Sequence, residues 1–141
     1  MLYFEDVDLG DEIGPQERDI TDQDVSTFCK NVWGQTGPTR FTDPEVARQS
    51  NLKAPIVPGV MSLALMARFL TDWSSSVSIK QLDVVFRQPV PHDKVTISGM
   101  VTDLRQEDGE SLVECDVYMS NEESGRLVGG KAILAFPSRP A

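Results

Sequence analysis

The chain opens on a weak alternation of apolar and polar positions. LYFEDVDLGDEI, residues 2–13, sets single apolar residues among acids and ends in a Gly-Asp turn signal, which predicts a short first strand or an extended arm. ITDQDVSTFCKNV is helical in period: Thr21 can cap the N-terminus and Asp22 and Asp24 suit the positive end of the helix dipole. Val25, Phe28, Cys29 and Val32 then fall on one face. DPEVARQS repeats the start signal, with Asp43 as cap, Pro44 at the first helical position and Glu45 in the first turn, and predicts a short second helix. APIVPGVMSLALMARFLTDW is apolar around most of its circumference, through Met61, Leu63, Ala64, Leu65, Met66, Ala67, Phe69 and Leu70, and is opened by Pro58-Gly59. Such a helix must be buried on nearly all sides, yet it is too short to span a bilayer, so a curved sheet is expected to wrap it.

The remaining residues supply that sheet. Leu82, Val84 and Phe86 alternate in KQLDVVFRQPV, Val95, Ile97, Gly99 and Val101 in DKVTISGMVTDL, and Val113, Cys115, Val117 and Met119 in SLVECDVYMS. A last strand, RLVGGKAILAF, carries Gly129-Gly130, which predicts a bulge or a close backbone approach. Turns at PVPHD, EDGE and NEESG predict an antiparallel meander. Helices precede strands, which places the chain in the α+β class, and no repeat, linker or low-complexity tract divides residues 1–141 into more than one domain.

Composition narrows the function classes. The length of 141 residues suits one domain with a real core, and no run of eighteen apolar residues suggests a membrane span. The acidic N-terminus lacks an export signal, so the expected location is the cytoplasm. A net charge of −9 argues against nucleic acid. Lys53, Arg68, Arg87 and Lys131 read as solvated surface charges, Cys29 and Cys115 as small core hydrophobes, and Trp33 and Trp73 as packing anchors. No metal-ligand spacing, phosphate loop or nucleophile-base set occurs, so neither a metal nor a cofactor is expected.

Several motifs, in order and spacing, resemble the MaoC-like family of (R)-specific enoyl-CoA hydratases and dehydratases. They are YFEDVDLGDEIG, TDQDVSTF, DPEVAR, APIVPGVM, FLTDW and VVFRQPVPHDKVTISGMV, and together they cover most of the chain. The resemblance implies a single hotdog fold, an antiparallel sheet around a long apolar central helix, and a ligand that is a thioester of coenzyme A or acyl carrier protein. It also implies a catalytic loop of the form Gly-Asp-x-Asn-Pro-x-His, in which aspartate and histidine handle the proton of a water.

The corresponding stretch is GQTGPTR. Matching Gly34 and Pro38 puts Gln35 in the aspartate position, Gly37 in the asparagine position and Arg40 in the histidine position; matching DPEVA instead puts Thr36 and Phe41 there. The chain's sole histidine, His92, falls in a turn between strands and reads as a surface residue. Arginine stays protonated and glutamine does not titrate, so the usual hydration chemistry is not expected. Arg40 is left to hold an anionic group or to form a salt bridge within the loop. By the resemblance, Pro58, Gly59 and Val60 at the start of the central helix would bind the thioester, with the Gly59 N–H facing its carbonyl. The expected function is an acyl-thioester-binding, non-catalytic or assisting subunit paired with a catalytically complete relative. The alternatives are a hydro-lyase of altered chemistry using Gln35 and Arg40, and a ligand-binding homodimer.

Overall fold

The computed structural model describes residues 1–141, and after one leading strand its three helices precede the remaining four strands. A 3-10 turn, Phe4–Asp6, leads into β1 (Glu12–Asp19), followed by α1 (Asp22–Trp33), α2 (Pro44–Gln49) and α3 (Gly59–Trp73). Four strands complete the chain: β2 (Ser78–Phe86), β3 (Lys94–Glu107), β4 (Glu110–Asn121) and β5 (Gly125–Phe136). All five strands form one antiparallel sheet in the order β1-β3-β4-β5-β2.

Local signals set the helix ends. Thr21 accepts from the Asp24 N–H while the Asp24 carboxylate accepts from Thr21, a reciprocal cap on α1, and Gly34 closes that helix in the left-handed conformation at φ 67°. Asp43 caps α2 through the N–H groups of Glu45 and Val46. At the β3–β4 turn, Asp108 and Gly109 both take positive φ, the geometry a two-residue hairpin between Glu107 and Glu110 requires.

The core is one cluster in which Met66, Phe69 and Leu70 of α3 pack with Val95, Ile97 and Val101 of β3, Val113, Cys115, Val117 and Met119 of β4, and Ala132 and Leu134 of β5. Cys29 and Cys115 are both free and buried. Burial raises both thiols, Cys115 to about 12, with the neighbouring Asp116 and Glu114 adding to its shift. Neither is therefore expected to react with a thiol reagent at about pH 8 in the native protein, and both should react once it is unfolded.

Four expectations are corrected. Of the two readings of residues 2–13 the arm holds and the strand does not: the first strand is Glu12–Asp19, and Gly14-Pro15 interrupts its pairing to β3, which Pro can do only on an edge strand. PVPHD does not join neighbours: β2 pairs with β5 at one end of the sheet while β3 lies beyond β4, so this segment crosses between them. Val32 is exposed, because residues 30–38 are all exposed and the end of α1 projects with the following loop. Finally, α3 is not covered all round. Val60, Ala64, Arg68 and Thr71 form an exposed stripe, since one sheet covers one side of a helix. The Gly129-Gly130 expectation resolves to a close approach: a Cβ on Gly130 would lie 1.8 Å from the Asp83 carbonyl oxygen of β2.

Candidate functional site

The start of α3 is built as a set of free donors. The preceding strap runs antiparallel to the turn before β3: Ile56 bridges Pro91 and the Val57 N–H donates to the Val90 carbonyl at 2.8 Å. Pro58 is the N-cap in an extended conformation and offers no side-chain acceptor, and the first bond closing the helix runs from the Ser62 N–H to the Pro58 carbonyl at 3.0 Å. The N–H groups of Gly59, Val60 and Met61 are consequently left without an intrahelical acceptor at the positive end of the helix dipole.

Beside them lies a cleft of about 260 Å³, lined by Val57, Gly59, Ser62, Phe86, Arg87 and Val90 among others. The Phe86 ring packs against Gly59, where a Cβ would meet it at 3.3 Å. Ser62 is fully buried, and its hydroxyl has no hydrogen-bond partner in the protein. An unpaired buried hydroxyl is costly, so its position beside three unpaired N–H groups marks a place shaped for an oxygen ligand. Sequence reasoning missed Ser62, although one hydroxyl inside the apolar run VMSLALM was the available signal. Of the exposed cations read as surface charges, Arg68 pairs with Asp72 and Lys131 with Asp116, whereas Arg87 borders this cleft.

A second cleft of about 380 Å³ opens between β1, α1 and α3, with Ile20, Phe28, Met61 and Leu65 in its walls and Arg18 at its rim. Met61 is two residues into α3 from Gly59, so this apolar space lies within one helical turn of the donor set.

The loop between α1 and α2 is well held but sits elsewhere. Gln35 lines a separate cleft of about 200 Å³ with Cys29, Lys30, Thr36, Thr39 and Thr42. The Thr39 N–H donates to the Thr42 hydroxyl at 3.1 Å, and the Asp43 N–H to the Thr39 carbonyl at 2.8 Å. Arg40 forms no salt bridge, contrary to expectation. Its guanidinium lies 4.5 Å over the Phe41 ring, because the carboxylates that follow are taken, Asp43 by the cap of α2 and Glu45 by Arg48, and the aromatic face is adjacent in sequence. Trp33 joins this group, 5.6 Å from Phe28 and 5.9 Å from Phe41, and is half exposed, whereas Trp73 packs edge-on against Phe136. Gln35 and Arg40 are thus not in one cleft with Gly59; the link is through the backbone, where the Ile56 N–H donates to the Arg40 carbonyl at 3.3 Å. Residues 25–42 contain neither a carboxylate nor an imidazole.

His92 is not a surface residue. Its side chain is 8% exposed, with Nδ1 2.6 Å from Asp22 Oδ1 and Nε2 3.1 Å from the Ile56 carbonyl oxygen. The turn folds inward against α1, which the local sequence does not reveal. An Asp–His pair invites a catalytic reading, but the ring is nearly buried, faces protein oxygens through both nitrogens and lines none of the three clefts.

Compared with known proteins, the sequence matches no family model and no curated protein. Its fold has many solved counterparts. The unliganded R-hydratase PhaJ1 from Pseudomonas aeruginosa superposes with a TM-score of 0.83 at 18% identity, over 97% of this chain and 86% of that one. A MaoC-like dehydratase from Rhodospirillum rubrum gives 0.83 at 17% identity over 100% of both chains. The ChsH1-ChsH2 complex from Mycobacterium tuberculosis gives 0.79 at 22% identity, over 92% of this chain and 98% of that one. The chain therefore has the hotdog fold of these proteins.

Proposed function

We propose that this chain belongs with the MaoC-like proteins as an acyl-thioester-binding subunit that assists a catalytically complete hotdog partner and does not itself hydrate. The observation that carries the reading is the uncapped start of α3, where the N–H groups of Gly59, Val60 and Met61 and the buried Ser62 hydroxyl stand beside an open cleft. A thioester carbonyl needs donors of this kind, and helix-end amides supply them without reorganisation. The neighbouring apolar cleft past Met61 has room for the acyl chain. Against catalysis stands the stretch of residues 25–42, the body of α1 and the loop after it, which contains no carboxylate and no imidazole.

The need for a partner is supported by the two ends of the sheet. The β1 edge is blunted by Pro15 and by Glu12, Glu17, Arg18 and Asp19. The β2 edge has no proline and exposes Val85 and Phe86, 56% and 49% accessible, while Val60, 54% accessible, begins the bare stripe of α3 next to Gly59. A second hotdog chain laid along β2 would cover these residues and wall the cleft. The ChsH1-ChsH2 structure is a complex of two named components, which favours a heteromeric arrangement as the first to test. Native mass spectrometry of the protein purified together with its co-expressed neighbours tests this directly. A heteromer carrying an acyl-CoA or acyl carrier protein is expected, and a ligand-free monomer at micromolar concentration would refute it.

Ser62→Ala gives an independent check on the donor set. It removes a costly unpaired hydroxyl, so the fold should be as stable or more stable by about 1 kcal/mol, while enoyl-CoA affinity measured by calorimetry should fall about five- to fifteenfold for one lost hydrogen bond.

A further inference from the structure

We infer that His92 is a positioning residue whose ring latches the strap Ile56–Gly59, and with it the start of α3, to the N-terminus of α1. Its functional consequence rests on the thioester reading above; the latch itself does not.

The ring joins segments far apart in sequence. Through Nδ1 it meets Asp22, the first residue of α1, and through Nε2 it meets the carbonyl of Ile56. Ile56 is held on its other side by the Arg40 carbonyl, and Val57 by Val90, so the strap is fixed from the loop, the turn and the helix together. Three residues beyond Ile56 stands Gly59, the first donor of the cleft. A strap that shifts carries the helix start with it, and donors misplaced by a fraction of an ångström bind less well.

A backbone carbonyl and an ionised carboxylate both only accept, so the ring must donate to at least one of them, and a side chain without a donor at that reach cannot replace it. The ionisable groups on the surrounding segments are Asp19 at the end of β1, Asp22 and Asp24 on α1, Arg40 in the loop, and Asp93 and Lys94 beside the ring in sequence. Asp24 is committed to the Thr21 N–H and Asp93 to the Lys94 N–H, and Asp22 alone lies within ion-pair distance of the imidazole.

Because the chain has one histidine, its ring signals need no assignment. A ring N–H exchanging slowly with solvent is expected in nitrogen-15 spectra. The hydrogen-bonded amides of the strap and helix start are those of Ile56, Val57 and Ser62. His92→Gln, whose amide can still donate to the Ile56 carbonyl, should retain their protection, whereas the shorter His92→Asn should lower it about three- to tenfold and lower enoyl-CoA affinity with it. A His92→Asn variant as protected as the unsubstituted protein, or a His92→Gln variant that loses protection equally, would overturn the latch. If the predicted protection pattern appears but no enoyl-CoA binds, the latch stands and the thioester reading falls. Binding with protection unchanged in His92→Asn removes the latch alone.

Discussion

Gly130→Ala is expected to lower stability by about 3 kcal/mol and the melting temperature by about 10 °C. A methyl group there would lie 1.8 Å from the Asp83 carbonyl oxygen and 2.7 Å from the Val84 Cα. Both are backbone atoms, so no rotamer change relieves the overlap, and β2 must move away from β5. Gly129→Ala is the matched control. Its nearest contact would be 3.7 Å, from the Tyr118 side chain, an ordinary packing distance, and its cost should stay below about 1 kcal/mol. Urea unfolding of the two variants measures the difference. The consequence reaches the site, because β2 ends in Phe86, which packs on Gly59, so the Gly130 variant should also lose the cleft beside α3.

The second large effect concerns the donor itself. Gly59→Pro should reduce enoyl-CoA affinity by about tenfold, while Gly59→Ala should reduce it by no more than about threefold. Proline is well suited to the first position of a helix, and Pro58 already holds the extended conformation that a following proline demands, at φ −57° and ψ 142°. The substitution therefore deletes one N–H and leaves the helix in place. Alanine brings the same Cβ toward the Phe86 ring but keeps the N–H, so the ratio of the two affinities isolates the hydrogen bond from crowding. Equal losses in both variants would mean that the Gly59 amide is not the donor.

Elements governed by local chemistry were readable from the sequence. The caps Thr21 and Asp43, the Pro58-Gly59 opening of α3 and the alternation in β3 and β4 each follow from neighbours a few residues away. What escaped reading depends on distant partners. β1 carries Gly14-Pro15 and a run of charges, and only its place at a sheet edge makes it a strand. β2 lies beside β5 because of a pairing set some fifty residues later, which no turn signal encodes. His92 occupies a sequence that reads as a solvated turn, and its burial comes from Asp22 and Ile56, which lie 70 and 36 residues away. For the candidate site, Gly59 was legible through the helix start, Ser62 was overlooked as one polar residue in an apolar run, and Arg40 found an aromatic ring where a carboxylate was expected.

The most direct test is a calorimetric titration of the purified protein with a short 2-enoyl-CoA, followed by mass analysis of the thioester recovered from the cell. Saturable binding with the enoyl thioester returned unchanged is the predicted result. Recovery of the thioester with water added would contradict the account, since it would require a proton acceptor that residues 25–42 do not contain and that His92, nearly buried and outside the three clefts, does not present to a ligand there.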